Sequence, residues 1–435
     1  MDQEWGMGMG SKYYPGLYQA ISDMPVVSTH EHHLPDSFQK ALTMDLLFAN
    51  SYLTSLAQSK KGAGGVRDYI STVRERTFAY GIPTDEKERR EDFLAQVGYN
   101  SYFVWLEKGL QGIYGFDDPL SAGNWDEISG EIAGRHREDG ADLEILKEIG
   151  NYRRAILDPY WDYGSDNGHP ELFSVAMRTD MFVTSFHPGV TDHDGNSPFN
   201  QYPDAPRDDF EEYLHYLKAL FMKWRRHGGV ALKSASAYDR SLKYDLPDRD
   251  LACRTFFKHP SEVAEGEGKN YGDFMFHWFC ELCKELEVPF QIHTGLGKLQ
   301  GSNPLLFEPV ITRYPEIRFV LLHCGYPWCS DAAGLAHNHD NVWLDMTWVP
   351  IISTSAAKRA LAEFLEVAHS VNRIAWGSDT WTSEEAYGAL LAWRHVVGQV
   401  LADKAEEGYI GLKEAEYLAG KLLWGNAAET YGLEW

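Results

Sequence analysis

Eight short apolar runs, rich in β-branched residues and each ending in polar or small residues, recur along the chain. They are MPVVSTH, RRAILDP, DMFVTSFHP, GGVALKS, VPFQIHTG, IRFVLLHCG, NVWLDMTW and NRIAWGSD. Runs without an exposed face suit parallel strands buried on both sides. Helical patterns lie between most of them, as in DDFEEYLHYLKALFMKWRRHG and GDFMFHWFCELCKELE. Eightfold alternation of strand and helix predicts an α/β chain folded as a (β/α)8 TIM barrel, with residues 1–435 as a single domain.

The first run is separated from the second by a long segment, about 45–140, that exceeds an ordinary connection in such a barrel. It contains YISTVRERTFAYG, NSYFVWLEKGLQGIYG and NWDEISGEIAGR, which read as helices. A helical insertion after strand one, placed over the C-terminal mouth, is the expectation. The stretch EEAYGALLAWRHVVGQVLADKAEEGYI reads as the last barrel helix, and KEAEYLAGKLLWGNAAETYGL as a closing helix.

In a barrel of this kind, residues at the C-terminal ends of the strands converge on one site. Strand one ends in His30-Glu31-His32, where period two turns both imidazoles one way and Glu31 the other. Strand four ends in Lys233, strand five in His293, strand six in His323 and strand eight in Asp379. Imidazoles with a carboxylate and a position left for water form a catalytic rather than a structural metal site. A divalent metal, foremost Zn2+ with Mn2+ as the alternative, is therefore expected. His33 faces away by the same alternation, His187 is read as ending strand three, and His337 and His339 precede strand seven at the opposite end of the barrel. Cys280-x-x-Cys283 lies inside a helical pattern and is expected to pack there, as Cys324 is behind its strand.

The His-x-His after the first strand, the His of QIHTG, the His of LLHCG and the Asp of GSD resemble the amidohydrolase superfamily in order. LKSASAY and the tail from WGSDTW to NAAETYGL are similar to its amidohydrolase-2 group, including nodulin-like members. The segments YFVWLEKGLQGIYGFDD and NWDEI resemble the insertion of uronate isomerases. The resemblance implies that His30, His32 and His293 bind metal, with Asp379 as a further ligand or as the base. His323 is then a catalytic histidine, a neighbour of the ligands or a ligand to a second ion. Lys233 is either a carboxylated bridge between two ions, a partner for a substrate carboxylate, or a lysine paired with carboxylates at the mouth. Asp379 and His323 are the catalytic expectations.

Candidates for the pocket wall are Lys233, Arg154, Tyr238, Arg240, Trp381 and Trp348, with Asp158 and Tyr160 near the end of strand two. Tyr102 and Trp105 in the insertion are candidates for a lid. Tryptophans near strand ends suggest a planar or sugar-like substrate. The count of 40 Lys plus Arg against 64 Asp plus Glu gives a charge of −24, which argues against a nucleic-acid partner because phosphate contacts need clustered cations. The five cysteines do not form a secreted disulfide framework, and no apolar run reaches the length of a membrane span. A small-molecule substrate, a cytoplasmic location and self-association are the expectations. The function read first is a metal-dependent hydrolase that attacks an amide, ester or lactone-type bond with metal-activated water. A uronate-isomerase-like sugar acid isomerase and a non-oxidative decarboxylase are the enzyme alternatives, and a catalytically silent binding barrel is the remaining one.

Overall fold

Seven of the eight apolar runs fold into the strands they suggest. The strands are β1 (Val26–Glu31), β2 (Tyr152–Leu157), β3 (Phe173–Arg178), β4 (Gly229–Ser234), β5 (Phe290–His293), β6 (Phe319–Leu322), β7 (Val342–Asp345) and β8 (Ile374–Ala375). The computed structural model describes residues 10–49, 51–53, 87–138 and 140–434. One eight-stranded sheet runs in chain order from β1 to β8. Thr29 N–H donates to Trp376 O at 3.0 Å, so the segment after β8 returns to β1. This is the (β/α)8 barrel. Every residue of β1 and β4 is buried, as a strand covered on both faces requires.

The third strand corrects the sequence reading. DMFVTSFHP is not a strand; its first five residues, Asp180–Thr184, are helical, and β3 is the preceding FSVAMR. Asp180 opens that helical turn, where a carboxylate is favoured, and its oxygens accept Ala235 N–H at 2.9 and 2.8 Å beyond the end of β4. The register aligns Arg178 with Lys233 and Lys233 with Gln291. His187 consequently lies on the loop after the turn, its ring 5.4 Å from that of His259.

The contacts divide the described residues into two compact units, 10–155 with 346–434, and 156–345. In the first unit the insertion supplies α1 (Ser101–Tyr114) and α2 (Trp125–Arg135); YISTVRERTFAYG lies outside the described residues. The Asn100 side chain caps α1 by accepting Tyr102 N–H, and Gly115 ends it at φ 74°. In the second unit, α3 (Phe210–Arg226) and α4 (Glu265–Leu286) carry the expected apolar faces, with Phe221, Phe279 and Phe182 packed together. Cys280 and Cys283 are buried on α4, and burial pushes the Cys283 thiol up. They pack, as expected of a helix interior.

The last barrel helix, α5 (Ser383–Glu406), begins with a reciprocal cap between Thr382 and Glu385. It receives α1 at close range: a Cβ on Gly388 would stand 2.6 Å from Trp105 O. Side chains then fasten the insertion. Tyr102 donates to Glu385, while Tyr114 and His136 each reach Glu384 at 2.6 Å. Burial works to lower the His136 pKa, but the Glu384 charge overcomes it and raises the value. Glu384 mirrors this: burial works upward, and His136 brings the net value down. A buried ion pair therefore ties the insertion to α5. No helix among the described residues is long and apolar enough to cross a membrane.

Candidate metal centre

The first unit gathers His30, His32 and Asp379. Their donor atoms lie within 4.8 Å of one another, and all three residues are buried. Asp379 Oδ1 stands 3.6 Å from His30 Nε2 and 3.2 Å from His32 Nε2, and the imidazoles meet at 83°. Backbone pairing sets this convergence. Asp379 N–H donates to His30 O, and His32 N–H to Thr380 O, both at 3.0 Å. The approach is close enough that a Cβ on Gly377 would fall 2.5 Å from His30 N, so glycine is required there. Asp379 itself adopts φ 62°, a left-handed conformation that aspartate tolerates better than most residues.

An aromatic wall stands beside the three donors. Trp381 stacks on His32 at 5.8 Å and 24°. Tyr52 donates its hydroxyl to Asp379 O at 3.0 Å, stacks on Trp348 at 4.4 Å and touches Trp381 at 4.8 Å. Trp348 is held at φ 69°, where a bulky side chain is an outlier. Such strain clusters at functional positions. Two imidazoles and a carboxylate, buried and converging, match the donor set of a divalent transition metal with positions left open. These residues fit such an ion. His33 turns away, to Asp142 at 3.2 Å and Gln39 at 3.4 Å.

The second unit holds His293 and His323, and it uses them differently. His293 Nε2 lies 2.6 Å from Leu296 O, and His293 Nδ1 lies 2.9 Å from His323 Nε2. A carbonyl only accepts, so Nε2 carries hydrogen, and in neutral His293 the Nδ1 lone pair accepts from His323. Both ring nitrogens of His293 thus meet protein groups. His323 sits at φ 63°. Tyr238 covers His293 at 4.5 Å and touches His193 at 5.0 Å. Burial pulls the His193 pKa down, but its hydrogen bond to Asp239 and the charge of Asp194 prevail and raise it to about 9.

Arg178 ends β3, just before the apolar run DMFVTSFHP that resembles a strand, so nothing in the sequence marks it as a strand-end residue. Its guanidinium bonds both oxygens of Asp158 at 2.6 to 3.2 Å, pairs with Asp194 and lies 4.7 Å over the Tyr160 ring. Lys233 is buried on β4, its carbonyl accepting Thr179 N–H at 2.8 Å. Arg240 is bound to Asp273, lies over Tyr244 at 4.4 Å and reaches neighbouring carbonyls. Arg154 is the third residue of β2, remote from the strand's C-terminal end, and donates to Glu434 O at 3.3 Å. Trp105 donates to Thr354 Oγ1 at 2.7 Å and packs against His395. Tyr102 meets Glu385 and the Tyr52 ring, so it supports the wall from behind. His337 is exposed, and His339 pairs with Glu308 at 3.2 Å. Tyr52 and Glu384 had no periodic or motif signal to reveal them.

Residues 257–433 match the protein-family model described as Amidohydrolase. The chain resembles the amidohydrolase barrels, the uronate isomerases among them. Uronate isomerase of Caulobacter vibrioides is 23% identical over 97% of this chain and 92% of its own length. The solved uronate isomerase of Thermotoga maritima superposes with a TM-score of 0.75, at 15% identity, over 98% of this chain and 100% of that one. Protein fluG of Emericella nidulans is 32% identical over 47% of this chain, which spans only 26% of that protein's length. The resemblance to uronate isomerase thus runs nearly end to end, insertion included.

Proposed function

We propose that the chain is a metal-dependent isomerase of sugar acids, of the uronate isomerase kind, with its ion held by His30, His32 and Asp379. The observation that carries this is the three-donor cluster within one unit, combined with the engagement of both nitrogens of His293 elsewhere. A single ion on three ligands is enough for carbonyl polarisation and requires no bridging lysine. End-to-end similarity to uronate isomerase supports the isomerase reading over the hydrolase, because the family model covers only residues 257–433.

Interconverting an aldose and a ketose carries a proton between adjacent carbons and another between their oxygens. The ion, when bound, would supply Lewis acidity for the carbonyl and its neighbouring hydroxyl. Asp379 carries the carboxylate we assign to proton transfer at carbon, which is general base catalysis by a positioned side chain. His323, its Nε2–H fixed by His293, is our assignment for a further proton carrier. Trp348, Trp381 and Tyr52 offer flat faces to the C–H surfaces of a sugar, and the hydroxyl of Tyr52 stays tied to Asp379. Lys233 is our candidate partner for the substrate carboxylate. Zn2+ and Mn2+ both suit imidazole and carboxylate donors.

The test is incubation of Zn2+- or Mn2+-loaded protein with aldohexuronates in heavy water, followed by proton NMR and mass spectrometry. Isomerisation yields a product of the same molecular formula apart from deuterium taken from solvent, with the anomeric proton signals of the aldose lost. Two fragments or an added water from lactone and amide substrates would overturn it in favour of the hydrolase, and release of carbon dioxide would favour the decarboxylase.

A further inference from the structure

We propose that Glu31 is a positioning residue that sets the three donors by knotting the end of β1 to the segment after β8. This rests on the metal reading above. The donors occupy positions 30, 32 and 379, and the residues between and beside them, 31, 378 and 380, form a second cluster of their own. Glu31 Oε1 accepts the Ser28 hydroxyl at 2.5 Å. Its Oε2 accepts the Ser378 hydroxyl, and both Thr380 N–H and the Thr380 hydroxyl at 3.4 Å. The knot closes on itself: Ser378 N–H donates to Ser28 Oγ at 3.2 Å, and the Ser378 and Thr380 hydroxyls lie 2.7 Å apart.

All four residues of the knot are essentially inaccessible, from 0% to 2% exposed. An apolar side chain would fill that volume without the cost of burying a carboxylate, which is favourable only when fully hydrogen bonded. What a carboxylate adds is direction. Two oxygens with several acceptor sites fix where Ser378 and Thr380 lie, and the residue between them is Asp379. A slip of one residue in the pairing beside β1 would turn the Asp379 side chain to the other face. The hydroxyl knot opposes that slip from the side opposite the ion. Groups behind the ligands of a metal typically alter its affinity by about 10- to 100-fold.

Glu31→Gln and Ser378→Ala test this in the full-length protein, with Zn2+ affinity measured by competition against a chromophoric chelator. The visible spectrum of the Co2+-loaded protein is recorded alongside. Both variants are expected to bind Zn2+ about 10-fold or more weakly and to shift the Co2+ ligand-field bands, while the metal-free melting temperatures stay close to that of the parent. Unchanged affinity and unchanged Co2+ bands in both would overturn the positioning role. So would an affinity loss that follows, in both, only the loss of folded protein by circular dichroism. Failure of the parent chain to take up either ion would overturn the metal reading itself, which separates the two failures.

Discussion

The histidines at the end of β1 and those at the ends of β5 and β6 each close an apolar strand at the mouth of a barrel. Their hydrogen bonds separate them. His30 and His32 point nitrogens at one another's neighbour, Asp379, with all donor atoms inside 4.8 Å. His293 gives one nitrogen to Leu296 O and the other to His323. Strand-end position nominates a histidine for chemistry, but what its second nitrogen faces decides which chemistry it can perform.

Removing a converging donor should have the largest effect. In His30→Ala or Asp379→Ala, bound metal measured by plasma emission should fall from near one equivalent to near none, and turnover by about a thousandfold, the several kcal/mol that a Lewis acid contributes. The next variant probes the other cluster directly. His293→Gln should keep its metal and lose turnover by roughly a hundredfold, as for a displaced proton carrier; loss of the ion in this variant would erase the distinction between the clusters.

A third histidine sharpens the contrast, because it serves the scaffold alone. His136→Ala leaves Glu384 as a buried, unpaired charge and should destabilise the chain by about 3 kcal/mol, with metal content unchanged. Its pH dependence has a defined sign. His136 is raised in the fold, so its contribution is complete below the ordinary histidine pKa and is lost as pH rises through the raised value. Glu384 is lowered, so its contribution is present above the ordinary carboxylate pKa and is lost as pH falls through the depressed value. Melting temperatures across the pH range should show both limbs in the parent and no His136 alkaline limb in the variant. The smallest effect belongs to His187→Ala, on the loop beside His259: stability should stay within about 0.5 kcal/mol, with metal and turnover unaltered.

Most of this barrel was legible because strands buried on both faces leave short, continuous apolar runs rich in β-branched residues, whereas the helices between them alternate apolar and polar faces. The exception, DMFVT, is as apolar as a strand, but Asp180 at its start favours a helical turn and finds its partners beyond β4. That slip displaced His187. The triad was legible from His-x-His and GSD alone, since alternation and strand order bring them together. The fates of Arg154, Arg240, Trp105 and His293 were not, because each is decided by one distant acceptor, such as Glu434 O or Leu296 O, that leaves no local pattern. Tyr52 entered the site from an insertion whose placement no periodicity encodes.

The left-handed backbone at Asp379 has an evolutionary consequence. Side chains branched at Cβ are strained at φ 62°, whereas asparagine and glycine accept it. Drift at this position is therefore channelled towards asparagine, which a single base change reaches from aspartate. Asparagine preserves the backbone and forfeits the negative charge. Descendants of this barrel that have abandoned catalysis should be recognisable by asparagine or glycine at position 379 with the fold intact, so that the route to a silent relative is short and leaves a readable mark.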